Sequence, residues 1–314
     1  MTLSRKVIKR SVSVKELYVE KRFSKKSLAI IEIADAIVKD YAAQGYDLTL
    51  RQLYYQFVSK DIIPNHQKFY NMLGSVINDA RLAGLIDWDR IVDRTRHLRK
   101  NAHWESVEDI LKDVHSQFRI DKWDNQKVRP EVWIEKDALV GVIESVCREF
   151  DVGYFSCRGY VSQSEMWSAG KRFSGYRDRG QVPFIVHLGD HDPSGIDMTR
   201  DIQERMTLFV GVPVEVVRIA LTRKQVDEVK PPPNFAKQTD SRFKDYVSVH
   251  GEDSWELDAL DPKYIDRIIR STIMRVRDED KWDEAVLIEN EHKNKIAEFI
   301  ADSKKKKGII KCMK

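Results

Sequence analysis

The stretch Val182-Pro183-Phe184-Ile185-Val186-His187-Leu188-Gly189-Asp190-His191-Asp192-Pro193-Ser194-Gly195 decides the fold. An apolar run gives way at once to acids, proline, serine and glycine, which reads as a buried strand ending at the carboxyl edge of a sheet and turning into a helix from Ile196. Asp190 and Asp192 are separated by one residue, so both side chains can point the same way. Upstream, Val132-Trp133-Ile134-Glu135-Lys136 repeats the pattern, with an apolar run stopping at a carboxylate. If the two strands are neighbours, Glu135, Asp190 and Asp192 meet, and acids brought together repel unless a divalent cation sits between them. Hard oxygen ligands of this kind suit Mg²⁺ and phosphate chemistry. The alternative is turn chemistry, since Asp, Pro, Ser and Gly serve any strand-to-helix turn and Asp190 can cap the next helix.

Around this stretch, strand and helix alternate. A helical stripe at Ala138, Leu139, Val142, Ile143 and Val146 precedes a strand over 152–156. A helix over 164–173 precedes the quoted strand, and another strand covers 214–220. The expected class is α/β with a mostly parallel, sandwiched, Rossmann-like sheet, whose ligands gather at the carboxyl ends of the strands. Pro231-Pro232-Pro233 marks a rigid loop, followed by polar, irregular chain to Asp258.

The first hundred residues differ. They hold 19 Lys or Arg against 11 Asp or Glu, and the remainder holds 35 against 39. A basic front and an acidic back suggest phosphate held by the first and metal by the second, unless the charges only solvate the surface. Residues 1–24 read as a basic arm that orders on binding. Helices are expected over 27–43, over 50–59 capped by Thr49, and over 67–83. Leu85 to Val92 alternates as a small hairpin would, before Arg94, Arg96, Arg99 and Lys100. Three helices and a basic-flanked hairpin are the parts of a winged helix of CAP-like type. The expected division is the arm, a winged-helix domain over 25–105, a linker over 106–128, and a metal-binding domain over 129–314 with a C-terminal extension.

In Thr49-Leu50-Arg51-Gln52-Leu53-Tyr54-Tyr55, Tyr54 shares the apolar face of Leu50, Leu53 and Phe57. Tyr55 lies one turn from Arg51 on another face and is expected to be partly exposed, with phenolate character favoured by the guanidinium.

Glu at one strand end and Asp-x-Asp at another resemble the Toprim domain. Asp190-x-Asp192-Pro193-x-Gly195, Arg158-Gly159-Tyr160 and Trp255-Glu256-Leu257-Asp258-Ala259-Leu260 are similar to the A subunit of topoisomerase VI, its meiotic break-making relative, and above all the short Mini-A proteins. The likeness runs from about Thr49 to Leu260. It implies Mg²⁺ on Glu135, Asp190 and Asp192, Tyr55 as nucleophile, Arg51 as phosphate contact, and a homodimer cutting double-stranded DNA with tyrosine and metal from different protomers. Candidate DNA contacts are Lys68, Arg81, Arg94, Arg96, Arg99, Lys100, Lys136 and Arg158. His191 departs from the small residue expected there and reads as a phosphate contact, a turn residue or a proton donor; Val161 stands where relatives often have proline.

A hydrolytic Toprim nuclease and a non-catalytic winged-helix DNA binder are the competing expectations. No Walker-type loop occurs, so ATP hydrolysis would need a separate B-type subunit. Cys147, Cys157 and Cys312 are unpaired in spacing and read as reduced. No apolar run is long enough to span a bilayer, and the expected location is cytoplasmic, on the nucleoid.

Overall fold

The computed structural model describes residues 15–92 and 101–312, so Arg94, Arg96, Arg99 and Lys100 lie outside the described residues. Three helices begin the described chain, α1 (Lys25–Ala43), α2 (Leu50–Ser59) and α3 (Gln67–Leu82). Each start has a chemical reason. Ser24 Oγ accepts from Ser27 N, and Thr49 and Gln52 form a reciprocal capping box. The His66 ring accepts from Lys68 N at the start of α3. Such caps satisfy amides that the first turn leaves unpaired. Ile31, Ala34, Val38, Leu53, Phe57, Leu73 and Ile77 bury one stripe of each helix in a common core.

Two expectations are corrected here. Leu85 to Val92 is not a hairpin: Trp88–Arg90 is a 3-10 turn, and Ile91 pairs in parallel with Leu48. Asp87 caps the turn by accepting from Asp89 N, an alternative to strand pairing that short Asp side chains readily offer. Residues 15–24, expected to order only on binding, are partly docked, with Tyr18 N and Val19 N donating to Leu82 O.

After α4 (Val107–Gln117), four strands form one parallel sheet: β1 (Val128–Ile134), β2 (Gly153–Ser156), β3 (Val182–Leu188) and β4 (Glu215–Ala220), in the order β2-β1-β3-β4. The period of two is visible in what each face buries. Val132, Ile134, Phe184, Val186 and Leu188 pack on α5 (Val140–Glu149) and α10 (Pro262–Val276), whereas Trp133 and Ile185 pack on α6 (Gln163–Asp178) and α7 (Pro193–Val210). Both faces are covered, which is why the central strands β1 and β3 are mostly buried and largely apolar. Each fully buried Ile, Val or Phe contributes about 1.5–3 kcal/mol.

Beyond the sheet come α8 (Arg223–Val229), the ribbon β5 (Asn234–Phe235) with β6 (Asp253–Ser254), α9 (Phe243–His250) between them, and the long α11 (Glu279–Cys312). The stretch expected to be irregular therefore contains a helix and a strand pair. Cys147 and Cys157 are free and buried. No helix among the described residues is long and apolar enough to cross a membrane.

Candidate active site

Because β1 and β3 are neighbours in register, with Ile134 opposite Leu188, both strands end side by side. Glu135, Asp190 and Asp192 then line one cavity of about 740 Å³ at the carboxyl edge of the sheet. Arg51 of α2 lines it too, with Lys136, Arg158, Asn234, Lys237, Glu256 and Asp258. Residues from opposite ends of the sequence thus share one wall.

The loop after β3 is shaped by close approach. A Cβ at Gly195 would lie 2.2 Å from Asp190 O, and one at Gly189 would lie 2.9 Å from Glu135 Oε2. Asp190 N donates to Glu135 Oε2 at 2.8 Å, and Leu257 N donates to Asp190 Oδ1 at 2.7 Å. Asp192 Oδ1 caps α7, accepting from Gly195 N at 2.6 Å and Ser194 Oγ at 3.0 Å. So the residue that caps α7 is Asp192 and not Asp190, which is instead held by Lys136 Nζ at 2.9 Å. As the side chains stand, no three His, Cys, Asp or Glu among the described residues converge on one ion.

Electrostatics nevertheless favour a cation. Burial, then Asp190, pushes Glu135 up to about 7, and burial raises Asp190 as well. Six carboxyl groups and four basic side chains line the cavity, an excess of two negative charges once all are ionised. The oxygen donors of Glu135, Asp190 and Asp192 are of the hard kind that suits Mg²⁺, without converging on one point as the side chains stand.

Lys136, expected to contact DNA, instead bridges acids: its ammonium lies 2.9 Å from Glu256 and 3.1 Å from Asp258 besides Asp190. Burial opposes its charge, but these three anions overcome it and raise its pKa. Arg51 also faces acids, pairing with Glu256 and lying 3.2 Å from Asp258. Arg81 is engaged elsewhere, stacked 4.4 Å over the Trp88 ring and donating to Trp88 O, so it is no free phosphate contact. Lys68 is exposed on the first turn of α3, and Arg158 is exposed at the rim beside Asp137.

Tyr55 departs from expectation. It is 3% exposed, and burial, then Glu256, pushes its phenol up to about 12, against Arg51, Asn234 and Lys136, which pull down. The helical wheel placed it correctly beside Arg51, whose guanidinium sits 5.8 Å over its ring. What the wheel could not show is the 256–259 segment covering that face, with Ala259 in the same core. Tyr54 is core, as the spacing indicates, with its hydroxyl in the loop before α3.

Two residues escaped the sequence reading. Arg218 of β4 is half-buried and donates to the carbonyls of Gly189, Gly195 and Leu221 and to Thr199 Oγ1 at 2.8–3.2 Å, and also to Asp190 O. Burial lowers its pKa to about 10, so the charge persists behind the acids. An arginine inside Val216-Val217-Arg218-Ile219 was the available signal. Asp258 is 2% exposed, and its Oδ1 has no hydrogen-bond partner.

His191 faces away from the cavity. Its Nδ1 lies 2.8 Å from the Tyr246 hydroxyl, and its backbone exchanges two hydrogen bonds with Trp255. Burial, then His250, lowers its pKa to about 4, so in this structure it stands as a neutral turn residue.

No protein-family model and no curated protein matches this chain.

Proposed function

We propose that the chain is a Mg²⁺-dependent DNA-cleaving transesterase of the topoisomerase VI A-like kind, a three-helix DNA-binding domain joined to a Toprim domain. One observation carries this reading. Arg51, one turn from Tyr55, opens into the same cavity as Glu135, Asp190 and Asp192. An arginine–tyrosine helix facing an acidic, cation-fitting cavity suits phosphodiester chemistry better than packing alone would require.

When bound, Mg²⁺ would supply charge stabilisation to the phosphate and leaving oxygen. The residues do the rest. Arg51 leaves Glu256 and Asp258 for the scissile phosphate, which uncovers the Tyr55 ring beneath it. The Tyr55 oxygen bonds to phosphorus as the bond from phosphorus to the 3′ oxygen breaks. The phenol loses a proton and the 3′ oxygen gains one, so bond number is conserved and religation is possible. Glu256, released as Arg51 moves to the phosphate, is the base assigned to that proton. Lys68, Arg158 and Lys237 contact the backbone.

The test is a denaturant-quenched reaction with end-labelled duplex DNA and Mg²⁺. The reading expects a protein-linked 5′ end, lost in Tyr55→Phe and Asp190→Ala and detectable in Tyr54→Phe. Absence of the adduct from the wild-type chain would refute it. Mixing Tyr55→Phe with Asp190→Ala tests the homodimer: single-strand cleavage returns if tyrosine and acids act across two protomers, and stays absent if one chain supplies both. ATP-dependent relaxation is expected only with a separate B-type subunit, and relaxation by the chain alone would contradict this.

A second reading is favoured by the burial of Tyr55, which does not line the cavity. In it, water attacks and Tyr55 only packs. Cleavage that survives Tyr55→Phe but not Asp190→Ala selects it.

A further inference from the structure

The loop between α2 and α3 and the ribbon strand β5 meet at a chain of hydrogen bonds that the proposed chemistry has not yet used. His66 N donates to the Tyr54 hydroxyl at 2.8 Å, and that hydroxyl donates to Asn65 Oδ1 at 3.1 Å. Asn65 Nδ2 in turn donates to Asn234 Oδ1 at 2.8 Å and to Pro233 O at 3.0 Å. An amide whose oxygen is engaged in this way has its NH₂ aimed the other way. Asn234 Nδ2 faces Glu256 Oε1 at 3.4 Å, and Asn234 lies near enough to the Tyr55 hydroxyl to pull its pKa down.

The backbone holds this aim. Asn234 pairs with Ser254, its carbonyl accepts from Ser254 Oγ at 3.3 Å, and Ala236 N donates to Glu252 O at 2.9 Å. Three prolines precede the strand and limit its freedom further. Nothing in the fold of α2 itself requires an asparagine opposite Tyr55.

We propose that Asn234 donates the hydrogen bond that stabilises the Tyr55 oxygen as it attacks, and that Tyr54 and Asn65 are positioning residues that fix the direction of its amide. The inference rests on the transesterase reading. As the bond from the Tyr55 oxygen to phosphorus forms and the bond to the 3′ oxygen breaks, Asn234 keeps both its protons and holds the phenolic oxygen in line. The charged groups acting on Tyr55 are Glu256, which opposes ionisation, and Arg51 and Lys136, which favour it. Asn234 is the neutral donor among them. The paired tyrosines thereby take different parts, one reacting and the other aiming its neighbour's partner.

The experiment uses the full-length chain labelled with ¹³C at the tyrosine ζ carbon. Tyr55 is assigned by Tyr55→Phe and titrated with pH, and adduct formation is timed in parallel on duplex DNA with saturating Mg²⁺. Asn234→Ala is expected to raise the Tyr55 midpoint and to slow adduct formation roughly a hundredfold, as loss of one well-aimed donor does. Asn65→Ala and Tyr54→Phe are each expected to slow it roughly tenfold, since the amide is then free to flip. Asn65→Ala combined with Asn234→Ala is expected to be no slower than Asn234→Ala alone, because both act through one bond. An unchanged Tyr55 midpoint in Asn234→Ala, or strictly additive losses in the double variant, overturns the proposal. A wild-type chain that forms no adduct overturns the transesterase reading instead, and the titration still decides the hydrogen bond. Should Asn234→Ala fail to fold, Asn65→Ala in the half-buried loop gives the same readings.

Discussion

Replacing Lys136 by methionine removes the one ammonium that touches Asp190, Glu256 and Asp258 together, at 2.9, 2.9 and 3.1 Å. At about 3 Å and an effective dielectric near 20, each contact is worth about 5 kcal/mol of attraction before desolvation is subtracted. Methionine regains that desolvation and keeps the apolar stem packed. Arg51 still serves Glu256 and Asp258, so Asp190 is the acid left without a cation of its own. Stranding one buried charge costs about 3 kcal/mol, the low end for a broken buried pair. In a chain of 314 residues that lowers the melting temperature by roughly 5 °C in EDTA. Mg²⁺ at a hundred times its dissociation constant stabilises by about 2.7 kcal/mol, so it is expected to close most of the gap. The assay is a thermal melt of wild type and Lys136→Met, each in EDTA and in Mg²⁺. Melting within about one degree of wild type in EDTA, or an identical Mg²⁺ shift in both proteins, would refute the reasoning that ammonium and cation offset the same charges.

Three more outcomes are expected. Gly195→Ala places a Cβ 2.2 Å from Asp190 O, so the turn opens, stability falls by about 2 kcal/mol or more, and calorimetric Mg²⁺ binding weakens; unchanged binding would show the turn to be irrelevant to the acids. Arg218→Met leaves several buried carbonyls without donors and is expected to cost about 3 kcal/mol in denaturant unfolding, whereas Arg218→Lys keeps the charge and loses less; equal losses would contradict the role given to that charge. Glu289 is held by Lys122 Nζ at 2.7 Å and Lys293 Nζ at 2.6 Å, and although burial opposes its charge these bonds bring its pKa down to about 2. Its contribution is therefore complete above the ordinary value of 4.5 and is lost as pH falls from there toward about 2, on the order of 2 kcal/mol; Glu289→Gln should flatten acid unfolding in that window, and an unaltered profile would count against it.

Periodicity made the sheet and its helices legible because each element buries residues that its own repeat selects. Ile134 beside Leu188 needed only the inference that two acid-ended strands are neighbours. What failed depended on partners remote in sequence. Tyr55 was read as open because a helical wheel knows the helix and not the 256–259 segment laid over it. Lys136 and Arg51, expected to contact DNA and phosphate, are paired in this structure with Glu256 and Asp258, over a hundred residues later. The helix α9 was overlooked because its one buried residue, Tyr246, leaves no stripe to detect. The missing hairpin was a local competition, in which the Asp87 carboxylate offered the backbone a tighter turn than strand pairing.

The segment that carries Glu256 and Asp258 is fastened at both ends to different bodies. Its front, at Trp255, is zipped to His191 on the sheet loop, and its back, at Ala259, is a plug in the helical core under α2. It behaves as a shared hinge plate: any rotation of the helices against the sheet must bend this short span or tear one fastening. A load on the helices would consequently be felt by the acids through the backbone itself, without any ligand reaching them.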